Sequence, residues 1–175
     1  STYENLRNNY KPNNVDVLFV GESRPQGGTF FYQENSALYR ETKKAFNQYF
    51  AQNIFTLDNF KRWNCWLYDI CDDPVNGLPD AERKDCIRTN IPRLDELIKK
   101  ESPKIIIVCK KTIVEPEIRM SPIMNIYRVE ENIFFLPFPG NGNQKKYREG
   151  LIKALILFNF NQGDQGDVGS GGRFY

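Results

Sequence analysis

Apolar positions along this chain fall into short unbroken runs separated by longer segments of helical period. The run "VDVLFVG" (15–21) stops abruptly on Gly21, the form of a strand buried on both faces. "KIIIVCKKT" (104–112), opened by Pro103, reads as the clearest central strand. "RWNCWLYDICDDPVNG" (62–77) begins as an apolar strand and runs into acids, Pro74 and Gly77. "NIYRVEENIFFLPFPGNGN" (125–143) reads as a hairpin-like stretch followed by the strand "NIFFLPF". Between these, "SALYRETKKAFNQYF" (36–50) gathers Leu38, Thr42, Ala45, Phe46 and Tyr49 on one helical face, with Ser36 as its N-cap. "PDAERKDCIRTNIPRLDELIKKES" (79–102) reads as helix with a kink or break near Asn90, forced by Pro92. "QKKYREGLIKALILF" (144–158) closes the pattern, with Tyr147, Leu151, Ala154, Leu155 and Phe158 inward. The polar start (1–14) reads as a short helix ended by Pro12.

The order is strand, helix, strand, helix, strand, strand, helix. It predicts a three-layer α/β/α fold around a central, mostly parallel four-stranded sheet. Residues 1–160 form a single domain in this reading, and the Gly-rich 161–175 a tail whose Arg173, Phe174 and Tyr175 could dock. In such sheets ligands bind at the carboxyl ends of the strands. The loops there are the unusual ones: "GESRPQGGTFFY", "DICDDPVNG" and "PFPGNGNQKK".

Composition narrows the chemistry. The 175 residues carry 24 basic and 22 acidic side chains, so any nucleic-acid surface must be a local patch. There is no histidine, which removes His bases, His metal sites and Ser–His or Cys–His dyads. An esterase built on Ser23 is therefore weak. Cys65, Cys71, Cys86 and Cys109 lack CxxC spacing, so zinc and iron–sulfur sites are not expected, nor is any other cofactor. Reduced thiols in a cytoplasmic protein are the simplest account. No apolar run approaches the ~18 residues of a membrane span. Aromatics are abundant, a ring-rich core being favoured over exposed stacking surfaces.

Each loop offers a candidate role. In the first, Gly21 allows close backbone approach, Glu22 is a carboxylate at a strand end, and Phe30, Phe31 and Tyr32 could present a stacking ring. Against this, the rings could roof the core and Glu22 could simply pair with a cation such as Arg24. In the second, Asp69, Asp72 and Asp73 could hold a divalent metal, although turn capping is the commoner use. In the third, Asn141 and Asn143 alternate with permissive Gly140 and Gly142, and Lys145 and Lys146 open a helix where acids are normally preferred, a pattern suited to phosphate.

Together these loops resemble the uracil-DNA glycosylase superfamily, in its mismatch-specific and single-strand-selective branches. "GESRP" resembles the Gly-x-x-Pro loop that follows the family's first strand, with Glu22 at its catalytic acid. "WLYDICDDPVN" is similar to the stretch that reads the base edge, with Asp69 near the reading position. "FFLPFPGNGNQKKYREGLIKAL" is similar to the second motif, with Phe138 where the family has His or Asn. The resemblance covers residues 15 to 160. It implies hydrolysis of an N-glycosidic bond on a flipped base, in the service of DNA repair, catalysed through Glu22. It implies a base bound by Gly21, Ser23, Phe30, Phe31, Tyr32, Asp69, Phe138, Asn141 and Asn143, and DNA phosphates met by Arg24, Lys145 and Lys146. The expected partner is DNA or another nucleobase-containing ligand, the expected state a monomer away from membranes. Phe138 cannot polarise a base carbonyl, and Gly142 or Asn143 stands where the family has a wedge. A non-catalytic nucleic-acid or protein-binding module on the same scaffold therefore remains the alternative.

Overall fold

The structure, a computed structural model, describes residues 2–161, and of residues 111–113 the backbone alone. Four strands, β1 (Val17–Gly21), β2 (Cys65–Asp69), β3 (Ile105–Cys109) and β4 (Ile133–Leu136), form one sheet in the order β2-β1-β3-β4. Every pairing is parallel. The register aligns the carboxyl ends, setting Gly21 against Asp69 and Cys109 against Leu136. β1 and β3 occupy the middle and are buried throughout, as their unbroken apolar runs require.

Seven helices accompany the sheet among the described residues: α1 (Thr2–Asn9), α2 (Ala37–Phe50), α3 (Leu57–Arg62), α4 (Asp80–Glu101), α5 (Lys111–Ile118), α6 (Pro122–Val129) and α7 (Gln144–Phe158). α2 packs on α7, while α4 packs on α5 and α6. For a parallel sheet of this order the right-handed crossover rule assigns these two groups to opposite faces, in keeping with the three-layer α/β/α sandwich. None of these helices is long and apolar enough to cross a membrane. Ser36 caps α2 as its position predicts, its Oγ accepting from the Tyr39 amide at 3.1 Å. Tyr147, Leu151, Ala154 and Leu155 of α7 are buried, and Phe158 is partly so.

Three expectations are corrected. The hairpin-like stretch is helix α6: Pro122 sits in its first turn and the Ser121 hydroxyl accepts from the Met124 amide. That cap outweighs the β-propensity of its Ile, Tyr and Val residues. "KKT" leaves the third strand and opens α5, so β3 and β4 are joined by helices and run parallel. Of the kink or break expected at Pro92, the break does not occur, because α4 runs through it to Glu101. The carbonyl deprived of a donor is that of Arg88, a residue on the exposed side of the helix where water can serve it. Of the predicted tail, residues 162–175 lie outside the described residues.

Strand order now locates the crevice. The chain leaves β1 toward β2 and then returns to the other side of β1 for β3. The topological switch point lies between the carboxyl ends of β1 and β3, where α/β sheets place their ligands.

Candidate functional site

At that switch point the surface opens into a cavity of about 270 Å³. Its walls come from each strand end. β1 contributes Gly21, Glu22 and Ser23; β2 contributes Asp69, with Asn76 beyond it; β3 contributes Cys109 and Lys110; the loop after β4 contributes Phe138 and Asn141. Ligand pockets commonly span roughly 300–1,000 Å³, so this one suits a small ligand.

The first two loops are stitched together. The amides of Ile70 and Cys71 donate to the carbonyls of Gly21 and Glu22, prolonging the β1–β2 ladder past its formal end. The Ser23 hydroxyl accepts from the Val75 amide at 3.2 Å, and the Gln26 amide donates to the Asn76 side chain at 3.0 Å. The site therefore rests on a braced platform.

Glu22 is 7% exposed and is gripped by Arg83 from the first turn of α4. Arg83 Nε donates to Glu22 Oε2 at 3.1 Å and Nη2 to Oε1 at 2.6 Å. This is the bidentate fork geometry that fixes a carboxylate in one orientation. Asp69 is held by Arg7 of α1, with Nη2 3.3 Å from Oδ2. Burial pushes the Asp69 carboxyl above its ordinary range, and the Arg7 charge opposes that push. Arg7 in turn lies beside the rings of Phe30 and Tyr68, at 5.7 and 5.8 Å, with its Nε unpartnered.

Gly21 has a specific reason to be glycine. A Cβ there would lie 2.4 Å from Asp69 Oδ1. Asp69 is buried and tethered, so it cannot swing away freely. Gly21→Ala should lower stability by about 1–3 kcal/mol, as overpacking does, read as a lower urea midpoint at unchanged m.

The stacking platform is corrected. Phe30, Phe31 and Tyr32 are 1%, 3% and 2% exposed, and all three belong to the core. Tyr3 abuts Phe30 edge-on, Tyr10 stacks on Tyr32, and Phe60 tilts against Phe31. The Tyr32 hydroxyl is spent on β2, donating to the Leu67 carbonyl and accepting from its amide. Phe30 and Phe31 reach only a recess of about 30 Å³ that shares Ser23, Pro25, Leu38, Asp69 and Phe138 with the cavity. The ring that does line the cavity is Phe138. Gly140 makes room for it, since a Cβ there would come within 3.1 Å of that ring.

The remaining candidates scatter. Arg24 stacks 4.1 Å over Tyr3 and pairs with exposed Asp73 at 3.8 Å. Asp72 turns to Arg93, whose hydrogen bonds hold its carboxyl below the ordinary range. Among the described residues no group of three or more Cys, Asp or Glu side chains gathers to hold a metal ion. Asn143 precedes α7 without capping it and is not among the cavity's lining residues. Lys145 and Lys146 are exposed at the start of α7, Lys145 lying 3.8 Å from Glu149.

Sequence reasoning missed Arg7, Arg83 and Lys110. Lys110 was within reach of the strand-end rule, since it follows Cys109 directly at the end of β3. The two arginines carry no local signal, because their partners are set by helices folding back from elsewhere. The chain matches no protein-family model and no curated protein.

Proposed function

We propose that the cavity takes a flipped nucleobase and that this protein is a divergent DNA glycosylase-like hydrolase. The observation that supports this reading best is the convergence of Glu22, Asp69, Phe138 and Asn141, from three strand ends, on one base-sized cavity. Phe138 supplies the stacking face that Phe30 and Phe31 cannot. Asp69 accepts from the N–H groups of an amino-bearing base, such as cytosine, adenine or a modified relative. As the C1′–N bond breaks, its electron pair leaves with the base, and Lys110 donates to the anion that develops. The Glu22 carboxylate faces the cationic sugar and orients the water that attacks C1′. Two bonds from Arg83 leave each of its oxygens a second acceptor site for that water. The water's proton passes to the departing base. In this reading the partner is DNA, and the protein acts as a monomer in the cytoplasm.

A second reading is a non-catalytic binding module for nucleic acid or a protein partner. The observation favouring it is the same fork, since Arg83 already neutralises Glu22. Oligonucleotides carrying uracil, hypoxanthine or alkylated and oxidised bases, assayed for abasic product, separate the two. The glycosylase reading expects product from at least one substrate, and a fall of about 10²–10⁴-fold for Glu22→Gln. Salt-dependent binding without turnover, indifferent to Glu22→Gln, establishes the binding module instead.

A further inference from the structure

Two thiols face each other beside the site and take no part in the reaction above. Cys71 Sγ and Cys86 Sγ lie 2.6 Å apart, against about 2.05 Å in a disulfide bond. Cys71 is two residues beyond β2, fully buried, and its amide donates to the Glu22 carbonyl at 2.8 Å. Cys86 lies on α4 three residues past Arg83 and is only partly buried. The other two cysteines are turned elsewhere, Cys65 toward the Trp63 carbonyl and Cys109 toward that of Pro137.

We propose that Cys71 and Cys86 are a redox modification site, forming a reversible disulfide on exposure to a peroxide and thereby fastening α4, with Arg83, to the loop that holds Glu22. Burial pushes the Cys71 thiol well up, and its contact with Cys86 adds to that. Cys86, the thiol that solvent can reach, is therefore the one that meets the oxidant. Having released its proton to water, Cys86 Sγ attacks one peroxide oxygen. The S–O bond forms, the O–O bond breaks, and hydroxide leaves to become water. Cys71 Sγ then attacks Cys86 Sγ, the S–S bond forms, and the S–O bond breaks. The hydroxide released takes the Cys71 proton as a second water. Two thiols are oxidised to one disulfide while one hydrogen peroxide is reduced to two waters. A thiol reductant reverses the bond by exchange.

The test uses the full chain, treated with hydrogen peroxide and then with dithiothreitol. Oxidation is expected to lower the intact mass by two hydrogens and to join tryptic peptide 85–88 to the peptide carrying Cys71, fragmentation placing the bond on Cys71 rather than Cys65. The bond closes a loop over residues 72–85 and should raise Tm by roughly 6–12 °C. Reduction should reverse both changes, and Cys86→Ser should show neither. The proposal is overturned by an unchanged mass, by oxygen addition without a crosslink, or by a bond to Cys65 or Cys109. Mapping on the unsubstituted chain decides the matter by itself if Cys86→Ser folds poorly.

Discussion

Arg83→Met should lower the unfolding free energy by about 3–5 kcal/mol, the cost of stranding a charge whose partner has been removed from a buried pair. Both side chains of the pair are more than nine-tenths buried. Glu22 receives two hydrogen bonds from Arg83, and the next nearest carboxylate on Arg83, Asp80, is exposed and 3.6 Å away. With Arg83 gone, the Glu22 carboxylate is left in a buried site without its partner. Glu22→Leu/Arg83→Met, which removes both charges and keeps the volume, should recover much of the loss, since a well-packed apolar pair often equals a buried ion pair. Urea unfolding of the unsubstituted chain and the two variants at neutral pH measures both changes. A loss below 1 kcal/mol for Arg83→Met would mean that the pair is solvated and contributes little to the fold.

The second large effect separates two phenylalanines. Phe31→Ala should cost about 3–5 kcal/mol of stability, as large aromatic truncations in a packed core do. Its ring meets those of Tyr32, Tyr39 and Phe60 at 5.1, 5.7 and 5.4 Å, and nothing outside the core can replace them. Phe138→Ala should cost far less stability, since that ring is only partly buried. Its loss should appear in binding, as about 1–3 kcal/mol for a stacked base. Denaturation midpoints paired with affinity for a single-stranded oligonucleotide distinguish the two roles. Equal binding losses for both variants at equal stability would restore Phe31 as a platform.

The contrast shows what the sequence could reveal. The runs ending at Gly21 and Cys109 are buried strands because an unbroken apolar segment has no other favourable place, and their alternation with helical periods fixes the layering. The strand-end rule then picks out Glu22 and Asp69 through topology alone. The same rule led Phe30, Phe31 and Tyr32 astray. A ring near a loop can roof the core or face a ligand, and only packing decides which. Here Tyr3 and Tyr10, from the helix α1 and the turn after it, cover them. The buried arginines were invisible for a related reason. Arg7 and Arg83 stand 62 and 61 residues from their carboxylates, and no local pattern marks such a pair. Helix α6 was hidden by β-favouring residues, although "SP" at its start was a legible cap.

The central claim is that a base enters the cavity between the ends of β1 and β3. The most direct measurement is a backbone-amide NMR titration of the full chain with deoxynucleosides and short single-stranded oligonucleotides. Shifts are expected to concentrate at Gly21–Ser23, Asp69, Cys109–Lys110 and Phe138–Asn141, strongest with an amino-bearing base and weakened by Phe138→Ala. Saturable shifts centred on the exposed start of α7, with those strand ends unmoved, would contradict it.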